Sequence, residues 1–69
     1  MSVVSQSPAE LRRDAKLCRR TALQLKSILY KSLDEDDYTM RRKAINNYEE
    51  LAKILEHRAD RLENSDNND

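Results

Sequence analysis

The chain has 69 residues, 13 basic and 13 acidic side chains, no glycine, one proline and one cysteine. Those numbers exclude a disulfide scaffold, a collagen-like repeat, a membrane-spanning helix and a glycine-cradled phosphate site. What remains is one small helical domain, with too little interior for a large core and a size that favours a binding module over an enzyme.

The charge is unevenly placed. Residues 1–33 carry seven basic and two acidic side chains, and residues 34–69 carry six basic and eleven acidic. Opposite halves of this kind neutralise each other when one folds against the other. The opening MSVVSQS is too short and polar for a secretory signal, and the lone cysteine has no disulfide partner. Cytoplasmic residence is the expectation.

Residues 1–6 read as a flexible N-terminal arm. Ser7-Pro8-Ala9-Glu10 is a helix start: Ser7 caps, Pro8 suits the first turn, and Glu10 falls three after the cap. Leu11, Ala15, Cys18, Ala22, Leu25 and Leu29 then recur at spacings of about three and four, which is a helical stripe. A first helix is predicted over about 8–31.

A turn is expected at 32–35, within Ser32-Leu33-Asp34-Glu35-Asp36-Asp37. It lacks glycine, so Ser and Asp side chains must satisfy its free backbone groups, and acids suit the start of the next helix. The second helix is predicted over about 36–63. Its stripe is Tyr38, Ile45, Ala52 and Ala59, with Tyr48, Leu55 and Leu62 between. Asn46-Asn47 are poor helix formers and open a competing three-helix variant. The stripe keeps phase from Ile45 to Ala52, which favours one continuous helix. Residues 64–69 read as a disordered polar tail.

So short a connection makes the helices antiparallel neighbours in an all-α, coiled-coil-like hairpin. Running the stripes in opposite directions sets Leu11 against Leu62, Cys18 against Leu55, Ala22 against Ala52, Leu25 against Tyr48 and Leu29 against Ile45. The charges give a separate check on that level. Arg12, Arg19 and Lys26 are seven apart, as are Glu49, Glu56 and Glu63. They match as Arg12–Glu63, Arg19–Glu56 and Lys26–Glu49 on one side of the pair. Exposed pairs contribute little each, so such a ladder selects register more than it stabilises.

The chemistry of a reaction site is missing. His57 falls on the solvent side of the second helix and Cys18 in the stripe of the first, so they do not form a nucleophilic pair. One His and one Cys do not make a zinc site. Asp34, Glu35, Asp36 and Asp37 lack the alternation and glycine of a calcium loop and read as a turn and helix cap. No catalytic residue, cofactor or metal is expected.

Two surfaces carry the functional expectation. Leu17, Ile28, Met40, Leu51 and Ile54 lie off the stripes on one broad face, opposite the charge ladder. A second hairpin or a partner helix laid there would complete a bundle, so a protein partner, or a homodimer dimerising into a four-helix bundle, is the first reading. It makes the chain an adaptor or regulator. Arg13, Lys16, Arg20 and Lys31 lie on the outer back of the first helix. They are the footprint of an alternative, a nucleic-acid-binding regulator, though the same residues make an ordinary solvated face. No membrane contact is expected.

Overall fold

The computed structural model describes residues 6–67, with side chains described as far as Asn64. Two helices, α1 (Pro8–Ser27) and α2 (Glu35–Asn67), are joined through a 3-10 turn at Leu29–Lys31 and pack against each other as an antiparallel hairpin. No strand occurs among the described residues.

The start of α1 is the capping box that the sequence predicts. The Glu10 amide donates to the Ser7 hydroxyl at 3.3 Å, and the Glu10 carboxylate accepts from the Ser7 amide at 3.2 Å. Each bond satisfies a donor that the first helical turn leaves free. Of the predicted arm, residues 1–5 lie outside the described residues. Gln6 donates to the Asp14 carboxylate at 2.7 Å.

The end of α1 differs from expectation. The helix stops at Ser27 rather than 31, because Ile28 leaves the helical region at φ −108° and ψ 8°. The last carbonyls are taken up by tighter bonds instead. The Ile28 amide donates to the Leu25 carbonyl, the Lys31 amide to Ile28, and the Ser32 amide and hydroxyl both to Leu29. A 3-10 turn supplies these short-range partners where the chain must reverse.

Asp34 and Asp37 then start α2. The Asp37 amide donates to the Asp34 carboxylate at 2.8 Å, and the Asp37 carboxylate accepts from the Leu33 amide at 2.9 Å. Acidic side chains do the work of the missing glycine, as predicted. Arg41 was not anticipated. It pairs with Asp37 at 3.3 Å and donates to the Ile28 carbonyl at 3.1 Å, tying the end of α1 to the first turn of α2.

α2 is continuous across Asn46 and Asn47, so the three-helix variant is ruled out. Both asparagines point to solvent, where a weak propensity costs little against the packed stripe on the other side. The helix also runs beyond the expected end at 63 to Asn67. Asn64-Ser65-Asp66-Asn67 contains neither glycine nor proline to stop it. Residues 68–69 of the predicted tail lie outside the described residues.

The fully buried residues are Leu11, Ala15 and Ala22 on α1 and Ile45, Ala52 and Ala59 on α2. Four of the six are alanines, so the axes approach along a line of small side chains. The flanking stripe residues Cys18, Leu25, Leu29 and Leu55 are only half-buried. Tyr38, Tyr48 and Leu62, also placed in the stripe by the sequence, are more exposed still. One neighbouring helix covers a narrower arc than the apolar stripe occupies.

Asp34→Ala removes the side-chain acceptor of the Asp37 amide at the start of α2. The expected loss is about 1 kcal/mol of stability, read as a lower midpoint in thermal or urea unfolding. An unchanged midpoint would show that the turn is held without this cap.

Candidate functional site

The two long edges of the hairpin differ in kind. One edge is closed by charge. Arg12 pairs with Glu63 and, at 3.0 Å, with Asp60. Arg19 meets Glu56 at 2.6 Å, and Lys26 meets Glu49 at 2.7 Å. All three predicted rungs are present, and Asp60 adds a contact that the seven-residue spacing did not suggest. The side chains remain partly exposed, so the ladder works at the water interface.

Those contacts shift the titration of the ladder. Glu56 is held below the usual carboxylate range, chiefly by its hydrogen bond from Arg19. Glu49 is lowered in the same way by Lys26. The Arg19 guanidinium is raised by Glu56.

The other edge is open and apolar. At about 100° per residue, Cys18 and Leu25 lie roughly 40–60° round α1 from the line of Ala22, on the side away from Arg19. Tyr48, Leu55 and Leu62 lie correspondingly on α2. Outside them come the five side chains singled out from the sequence. Leu17 is 51% exposed, Ile28 39%, Met40 72%, Leu51 43% and Ile54 51%. The half-covered stripe residues continue that face inward. The spacing places Tyr48 and Leu62 in the inner stripe, but at 38% and 37% exposure they belong to this open side as well. The signal that could have found them is stripe width: the apolar arc of each helix is too broad for a single neighbour.

Not every exposed apolar residue joins this face. Leu23 lies on the ladder side, in a shallow groove with Arg19, Lys26 and Glu49. Tyr30 and Leu33 are exposed at the turn. Beyond Ile54 and Leu62, the surface of α2 becomes basic, with a groove lined also by Lys53, His57, Arg58 and Arg61.

The four cations of the alternative reading are all exposed. Arg13 and Lys16 share a groove with Arg12 and Arg19, and with the carboxylates of Glu56 and Asp60. Arg20 lies further along α1. Lys31 sits apart in the 3-10 turn, its ammonium 5.8 Å from the centre of the Tyr30 ring.

Cys18 is half-buried and His57 exposed on α2. Among the described residues, no three His, Cys, Asp or Glu side chains gather in a way that would hold a metal ion. No helix there is long and apolar enough to cross a membrane. No family model, curated protein or solved structure matches this chain.

Two measurements test the ladder. In a double-mutant cycle, Arg19→Glu should destabilise the hairpin and added Glu56→Arg should recover part of the loss, with a coupling that shrinks as salt rises. Absence of coupling at low salt would remove this rung. The second measurement is pH. The folded values of Glu49 and Glu56 are depressed, so their contribution is complete above the ordinary glutamate value. It is lost as pH falls through the depressed folded values, because the unfolded chain then binds more protons. Acid unfolding should therefore start in that window, and Glu56→Gln should flatten the pH dependence without abolishing it.

Proposed function

We propose that this chain is a small non-catalytic interaction module, an adaptor or regulator that works by covering its open apolar face with helix from another molecule. The observation that carries this reading is the asymmetry of the hairpin. Ion pairs seal one edge, whereas the opposite edge leaves Ile28, Met40 and Leu51 exposed beside half-covered core residues, with Leu17 and Ile54 exposed further round toward the backs of the helices. Exposed apolar side chains grouped on one side of a small domain support reading that side as an interaction site. Met40 suits an adaptable contact, and a helix laid between α1 and α2 is the natural complement to a two-helix groove. Cytoplasmic residence fits this reading, since Cys18 is the only cysteine and has no partner in the chain for a disulfide.

Leu17→Glu combined with Ile54→Lys tests it. Both residues sit on the shoulders of the open face, outside the buried alanine line. The double variant should lose its self-association in sedimentation and its partner in a capture with the intact chain. Circular dichroism should still report a helical hairpin. If the variant keeps the wild-type mass and partner, the apolar face is not the interface. Binding to mixed RNA and DNA that weakens steeply with salt would instead support phosphate contacts through Arg13, Lys16 and Arg20.

A further inference from the structure

We propose that the occupant of the open face is a second copy of this chain, related by a two-fold axis running along the length of the hairpin. This rests on the reading of that face as an interface and names what covers it. The resulting four-helix bundle would place α1 of each copy against α2 of the other.

The argument starts from a second set of seven-residue rows. On α1 the row is Asp14, Thr21 and Ile28, the last at the C-cap. On α2 it is Ala44, Leu51 and Arg58. At about 100° per residue, both rows lie roughly a quarter-turn from the buried alanine line, on the side away from the ladder. Asp14, Thr21 and Ala44 are half-buried, while Ile28, Leu51 and Arg58 are exposed. Within one hairpin the rows project side by side from the same face and do not meet.

Matched in opposite directions, the rows pair Asp14 with Arg58, Thr21 with Leu51, and Ile28 with Ala44. The residue numbers sum to 72 in each case, against 75 for each rung of the ladder. The difference is less than one helical turn, about 3.6 residues. A two-fold axis parallel to the helices preserves height, so α1 lies over the partner's α2 at the level at which it already lies beside its own. Asp14 then faces the partner's Arg58, and symmetry repeats the contact at the second site.

The charges distinguish a second copy from an unrelated helix. Among the described residues, the Asp14 carboxylate accepts only from Gln6, at 2.7 Å, and Arg58 makes no ion pair. A foreign helix would need a cation and an anion at matching heights, which this chain already carries. The Thr21 hydroxyl donates to the Leu17 carbonyl at 3.0 Å and so brings no unpaired polar group to the contact. The hairpin is a single layer of helices, 14 Å across in its thinnest Cα dimension. Domains are built from at least two packed layers, and a second hairpin supplies the missing one.

Sedimentation of the full chain at low salt, across micromolar to millimolar concentrations, should show a monomer–dimer equilibrium. Asp14→Lys alone and Arg58→Glu alone each bring like charges together twice, and each should weaken self-association roughly tenfold. Mixing the two variants in equal amounts should restore it. In the mixed pair, one contact keeps Asp14 with Arg58 and the other carries both substitutions, so both join opposite charges. Circular dichroism of each variant checks that the helices persist. A wild-type chain that stays monomeric throughout overturns the second copy, and the apolar-face reading survives if capture of another protein is still lost in Leu17→Glu/Ile54→Lys. A dimer unaffected by that double substitution overturns both readings. A dimer that it abolishes, but whose charge variants do not complement each other, overturns the two-fold arrangement proposed here.

Discussion

The close approach of α1 and α2 along Ala15, Ala22, Ala52 and Ala59 is the constraint from which the rest of the hairpin follows. Each of these side chains is at most 2% exposed. Small residues on the line of contact bring the axes together, so larger residues must stand to either side. On one side those flanks are Arg12, Arg19 and Lys26 facing Asp60, Glu63, Glu56 and Glu49. On the other they are Cys18, Leu25, Tyr48, Leu55 and Leu62. Charged flanks can finish an edge at the water surface, because their polar ends remain solvated. Apolar flanks leave theirs unfinished.

The parts legible in the sequence are those set by local chemistry or by a repeating interval. Ser7 and Glu10 specify a capping box within four residues, and Asp34 and Asp37 satisfy backbone donors within one turn. The height of one helix against the other was readable because two intervals agreed: the apolar stripe and the seven-residue charges gave nearly the same residue sums. What stayed hidden depends on geometry between elements. Arg41 reaches the Ile28 carbonyl across the turn, 13 residues away in sequence. The i, i+4 spacing from Asp37 hinted at one of its contacts and was silent on the other. The width of the buried arc was equally hidden. Periodicity places Leu25 and Leu55 on the inward side, but only the diameter of the facing helix decides how far round its cover extends.

Net charge alone gives a poor picture of the surface. The chain is neutral overall, yet folding uses its acids and bases unequally. Asp60, Glu63, Glu56 and Glu49 are engaged in the ladder, Asp34 and Asp37 in the turn, and Glu10 in the first cap. Of the cations, Arg12, Arg19, Lys26 and Arg41 are engaged with them. Arg13, Lys16 and Arg20 on α1, and Lys53 and Arg61 on α2, are left exposed on the outer sides of the helices. The backs of the half of the hairpin away from the turn are therefore more basic than the composition suggests. That keeps the backs solvated and leaves the apolar edge as the surface on which desolvation is favourable.

Asp14 and Arg58 sharpen the meaning of that edge. If the seam needed only affinity, apolar residues would serve better in both positions, since a charge brought toward an interface must give up water. A charged residue at one point of an otherwise apolar helical seam trades stability for choice of partner and register, as polar residues do at single core positions of coiled coils. Here the two charges are of opposite sign, stand on different helices, and occupy matching heights. Shifting one hairpin along the other by a turn would place apolar rows opposite charge, and turning it end for end would separate Asp14 from Arg58 by much of the length of the helices. In the proposed dimer, the apolar residues of the open face would supply the drive to be covered, and this pair would restrict the covering chain to one orientation.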